Sequence, residues 1–176
     1  MKKFKYFLMS IMAMMTLVSL TSCEDESIAY DLEGTWKGDM YMVRDGYRAV
    51  YTEIEFIGDP FRMTSGTGNW LDVYSNRYND YFASRIEWKV KDRCIHIWLL
   101  DDRDRYGNAY ELVISDYELH GDRFRGYVDY AEGSREFNLY RTYSPHWDEY
   151  DYGYGYDYYS KGKKPQAEHT HEMRKD

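Results

Sequence analysis

From Ile28 to Thr142 apolar and polar residues alternate with a period of two, and short clusters of turn residues interrupt the alternation at close intervals. Val50, Thr52, Ile54 and Phe56 share one parity against Tyr51, Glu53 and Glu55. Ile86, Trp88 and Val90 alternate with Arg85, Glu87 and Lys89, and Ile95, Ile97 and Leu99 with His96 and Trp98. Phe124, Gly126, Val128 and Tyr130 oppose Arg125, Tyr127 and Asp129. Nothing in the stretch sustains a helical period. The pattern specifies antiparallel strands with one wet face. Arg44-Asp45-Gly46, Gly58-Asp59-Pro60, Lys91-Asp92-Arg93, His120-Gly121-Asp122 and Glu132-Gly133-Ser134 supply the turns. Eight strands follow, near 33–43, 47–57, 62–74, 81–90, 94–100, 109–119, 123–130 and 135–142, with a bulge near Ser115-Asp116 where the parity changes. Eight meandering strands predict an all-β, up-and-down antiparallel barrel over residues 28–142, closed so that no edge is left exposed.

The 22 residues before this domain read as an export signal. Lys2, Lys3 and Lys5 precede an uncharged, mostly apolar run from Phe7 to Leu20, shorter than the roughly 20 residues of a spanning helix. Leu20-Thr21-Ser22-Cys23 resembles the bacterial lipobox. That resemblance implies cleavage before Cys23 and a membrane anchor of acyl chains on that residue, each buried methylene adding about 0.8 kcal/mol. Residues 23–27 are expected to form an acidic linker. Their Glu24-Asp25-Glu26 resembles the export tag of Bacteroidetes lipoproteins, which implies an outer-membrane protein on the cell surface. Loss of three lysines takes the formal charge from −8 to −11. A chain this acidic lacks the basic footprint of a nucleic-acid binder. Cys94 is left as the only thiol besides the anchor residue, so no intrachain disulfide is expected.

Gly34-Thr35-Trp36-Lys37-Gly38 on the first strand and Phe137-Asn138-Leu139-Tyr140-Arg141 on the last resemble the lipocalin and wider calycin pattern. Ser115-Asp116-Tyr117 loosely resembles its second motif. More specifically, the chain looks like the small lipocalin-like lipoproteins of Bacteroidetes. The resemblance implies a barrel closed at one end by Gly34, Trp36 and Arg141, the guanidinium lying over the indole face. It also implies reversible, non-catalytic capture of a small apolar or amphipathic molecule at the barrel mouth. The segment is shorter than a typical lipocalin and shows no helix after the last strand.

An eight-stranded barrel either holds one small ligand or fills itself with side chains. Trp36, Met40, Met42, Ile54, Phe56, Ile86, Trp88, Ile97, Leu112, Phe124, Val128 and Phe137 are the inward candidates. Gly66 and Gly68 on the third strand leave room beside them. They predict a cavity lined by Gly66, Gly68 and Trp70 with Phe56, Trp88 and Phe124.

Chemistry finds little support. Asp101-Asp102-Arg103-Asp104 lacks the ligand spacing of a calcium loop. Cys94 and His96 share a strand face without an orienting third group, and Glu53 with Glu55 reads as the wet face of a strand. His169 and His171 have no cysteine partner. No enzyme activity, metal or cofactor is expected. Residues 143–176 form a tail. Seven of the 18 residues from 143 to 160 are tyrosines among aspartates and glycines, with no aliphatic residue to build a core. This tail is expected to be disordered, with adherence to a partner or packing back on the barrel as alternatives. The second functional reading is accordingly a solid barrel that binds a protein or glycan through outer aromatics and this tail.

Overall fold

The structure, a computed structural model, describes residues 23–44, 47–74, 80–103, 106–130 and 133–143, with 147, 150 and 152. The proposed signal segment 1–22 and most of the tail lie outside the described residues.

The strands are β1 (Gly34–Asp39), β2 (Val43–Arg44), β3 (Tyr47–Asp59), β4 (Arg62–Tyr74), β5 (Asp80–Lys91), β6 (Cys94–Arg103), β7 (Ala109–His120), β8 (Arg123–Tyr130) and β9 (Gly133–Thr142). Each pairs antiparallel with its sequence neighbour from β2 to β9, and β1 pairs with both β9 and β3. That double pairing closes an eight-stave up-and-down barrel. The first stave is β1 and β2 together, interrupted at Met40–Met42, where Tyr41 takes a left-handed backbone (φ 55°).

Strand parity delivers the core. Trp36, Ile54, Phe56, Ile86, Trp88, Ile97, Leu112, Phe124, Val128, Phe137 and Leu139 point inward and are buried. The parity change of β7 occurs through a register shift between Ile114 and Asp116, after which Tyr117 and Leu119 turn inward. A second shift, between Ala49 and Tyr51, was not foreseen. It turns Ala49 inward and leaves Val50 exposed, although Val50 shares sequence parity with Thr52 and Ile54.

Among the described residues one helix spans 23–32, here α1, where an acidic linker (23–27) and the start of the barrel domain (from 28) were expected. Its acidic first turn (Glu24, Asp25, Glu26) suits the positive end of the helix dipole. Ala29 and Leu32, three apart, are fully buried against the barrel. Asp25 reaches the β5–β6 turn, accepting hydrogen bonds from the backbone N–H groups of Asp92 (3.0 Å) and Arg93 (2.8 Å). Those two residues have positive φ, as a tight two-residue hairpin requires. The helix thus lies across one end of the barrel as its floor. Among the described residues no helix is long and apolar enough to cross a membrane.

Candidate functional site

The two ends of the barrel differ in chemistry. At the floor, Arg141 Cζ sits 4.4 Å from the centroid of the Trp36 ring. The guanidinium also donates to carbonyls at the C-terminal end of α1, from Nη2 to Asp31 O (2.7 Å) and from Nη1 to Glu33 O (2.5 Å), the residue just after the helix. A cation there faces the negative end of the helix dipole. Trp36 Nε1 donates to Leu32 O at 2.7 Å. Gly34 takes φ 113°, and a Cβ on it would lie 2.7 Å from Arg141 Nη1. Gly34, Trp36 and Arg141 are therefore one assembly, and it ties β1, β9 and α1 together.

Above the floor the interior is filled by rings. Phe124 makes edge contacts with Trp36 (5.6 Å) and Phe137 (4.7 Å), and Phe56 with Trp88 (5.7 Å). Trp88 Nε1 donates to Thr67 O. The space beside the glycines is occupied: a Cβ on Gly66 would lie 2.9 Å from Trp88 Cε2, and one on Gly68 would lie 3.3 Å from Ile86 Cγ1. Of the six residues expected around a cavity, Gly66, Gly68, Phe56, Trp88 and Phe124 thus belong to this close-packed lower half.

Trp70 stands one layer higher, with Ile54 and Ser84 as its cross-strand neighbours. Its side chain is fully buried, and Nε1 has no hydrogen-bond partner among the described residues. The next layer holds Thr52 and Asp72, also buried, with Thr52 Oγ1 donating to Asp72 Oδ1 at 2.5 Å. Phe82 pairs across from Asp72. Met42, Tyr74, Tyr110 and Tyr130 follow, half-buried on top of the core, at the end opposite α1. The sequence pointed to Trp70 but missed the Thr52–Asp72 pair. An inward Asp beside an inward Thr is visible in strand parity once the β3–β4 register is known, and that register includes the shift between Ala49 and Tyr51.

The outer face carries a groove of about 830 Å³. Its floor is the outward row Thr67, Glu87 and Trp98 on β4, β5 and β6, with Lys89 beside them, and the β3–β4 hairpin walls it with Asp59 and Arg62. Trp98 is half-buried and lies parallel to His96, with ring centroids 5.8 Å apart and planes at 14°. A second groove, about 840 Å³, runs between α1 and β7 and includes Arg93, Cys94 and Tyr117. Tyr117 donates to Arg93 O, and burial pushes its phenol up to about 12.

The remaining chemical candidates resolve into structural contacts. His96 Nδ1 lies 2.9 Å from Glu111 Oε1. Asp101 accepts both the Arg85 guanidinium (2.5 and 2.9 Å) and the Arg85 N–H (2.9 Å). The Arg85 side chain foremost holds the Asp101 carboxyl below its ordinary value. Among the described residues no three His, Cys, Asp or Glu side chains gather as metal ligands would.

Glu53 is not on a wet face. It points outward, yet it is only 4% exposed, and its neighbours Leu71 and Ala83 on the same outer face are fully buried. Described residues of the tail lie on this side of the sheet: Tyr150 contacts Tyr81 edge to face at 5.0 Å, and Tyr152 Oη donates to Asn69 Oδ1 at 3.0 Å. Burial raises the Glu53 pKa, opposed by Lys37 Nζ at 3.4 Å.

Neither protein-family models nor curated proteins give a match to the chain.

Proposed function

We propose that the protein is a lipid-anchored, non-catalytic binding protein of the bacterial cell envelope, whose barrel mouth reversibly holds a small amphipathic molecule. The observation that carries this reading is the fully buried Trp70 N–H, which has no acceptor among the described residues. A buried donor left unmet costs about 1–3 kcal/mol, and an acceptor atom on a bound molecule would remove that cost. Thr52 and Asp72 add polar anchoring one layer up, and Tyr74, Tyr110 and Tyr130 add apolar faces with polar tips around the entrance. Small-ligand sites have this composition, mainly apolar with a few placed polar groups. The lipocalin resemblance and the closed floor agree with such a role. The anchor rests on the Leu20–Cys23 motif, and the surface location on Glu24-Asp25-Glu26.

Titration of the mature protein with Nile red, a neutral fluorophore with an apolar ring system and a carbonyl acceptor, tests the mouth. Saturable binding is expected, weakened about tenfold in Trp70→Phe, which removes the donor and keeps a ring. No saturable binding, or equal affinity in the variant, removes the mouth from the argument.

A further inference from the structure

We propose that the outer groove over β4–β6 is a second binding site, for a neutral oligosaccharide. The groove needs a ligand with one apolar face and many hydroxyl groups. The half-buried Trp98 supplies the apolar platform, and His96, held by Glu111, stacks against the indole and fixes its orientation. Around the platform stand donors and acceptors of both kinds. Thr67 offers a hydroxyl, Glu87 a carboxylate and Lys89 an ammonium group. The side chains of Glu87 and Lys89 are exposed and make no hydrogen bond or ion pair with other described residues.

Charge decides against an ionic ligand. Arg62 and Lys89 balance Asp59 and Glu87, so the lining carries no formal net charge. Arg62 and Asp59 already face each other at 3.9 Å. Anionic ligands would meet two carboxylates and cationic ones two bases, whereas a polyhydroxylated neutral ligand can use both kinds. Size agrees: about 830 Å³ falls within the roughly 300–1,000 Å³ of small-ligand sites. The open shape suits an internal stretch of a chain more than an enclosed monomer. This site lies on the opposite face of the sheet from Trp70 and does not depend on what the mouth binds.

The test is a titration of the mature protein with maltohexaose, cellohexaose, xylohexaose and mannohexaose, read by tryptophan emission and by amide NMR shifts. At least one is expected to bind with Kd below about 1 mM, with shifts centred on β4–β6. Affinity should fall about tenfold or more in Trp98→Ala and recover partly in Trp98→Phe. It should fall severalfold in Glu87→Gln and in Lys89→Ala, both at exposed positions that leave folding intact. Raising salt to about 1 M should change it by less than about twofold. Four results each overturn the proposal: no binding by any of the four sugars, shifts that map to the mouth, affinity unchanged in all the groove variants, or binding abolished by salt. Nile red affinity, unaltered by Trp98→Ala, keeps the two sites distinguishable.

Discussion

Two side chains show how much one position can depend on distant parts of the chain. Arg141 covers the Trp36 indole while its fork takes the carbonyls of Asp31 and Glu33 at the end of α1. Lysine carries the charge without the planar fork, so Arg141→Lys is expected to cost about 1–3 kcal/mol, seen as a lower urea midpoint with unchanged slope. Glu53 presents the opposite case. Burial outweighs Lys37 and raises its pKa. A carboxyl raised in the folded state contributes stability below its unfolded value and loses it as pH rises through the native value. Glu53→Gln is therefore expected to raise Tm at neutral pH, with the advantage gone below about pH 4. Equal Tm differences at pH 4 and pH 7.5 would show that desolvation is not the cause. The Trp36–Arg141 pairing could be read from the sequence because both residues sit in recognisable strand patterns. The burial of Glu53 could not, since Tyr150 and Tyr152, which contact the same outer face at Tyr81 and Asn69, lie almost a hundred positions away.

Among the elements, strands were legible and the helix was not. Alternation over ten or so residues fixes a strand and its inward face. Turn residues fixed the hairpins, and the β7 bulge followed from a parity break. The bulge at Val50 escaped because Ala49 and Val50 are both apolar, so parity alone does not show which of them turns inward. The helix is a ten-residue element whose first half is acidic and whose apolar stripe is only Ile28, Ala29 and Leu32, too short for a periodic signal. Its stability comes from docking. Asp25→Ala removes the acceptor of two turn amides, and hydrogen bonds to a charged group are worth about 1.5–3 kcal/mol each. Amide exchange at Asp92 and Arg93 is expected to rise sharply in that variant. If both amides keep their protection, the helix is held by Ala29 and Leu32 alone.

For the molecule as a whole, the closed sheet divides into a packed lower half and a polar-lined, tyrosine-rimmed upper half. The aromatic wealth of the chain serves both: indole and phenyl rings fill the base, and tyrosines line the entrance and reach the outer face through the tail. The anchor is testable at this scale. Cys23→Ala should abolish incorporation of labelled palmitate and release the protein from the membrane fraction; a variant that still incorporates label would end the lipobox reading. In the intact chain Cys23 stands only two residues before Asp25, whose carboxylate is bonded into the barrel floor. A molecule tethered at that cysteine has no swivel. If the anchor and the ligand are as proposed, the floor faces the tether and the far end of the barrel faces the surrounding medium, where an arriving molecule meets it without waiting for the protein to reorient.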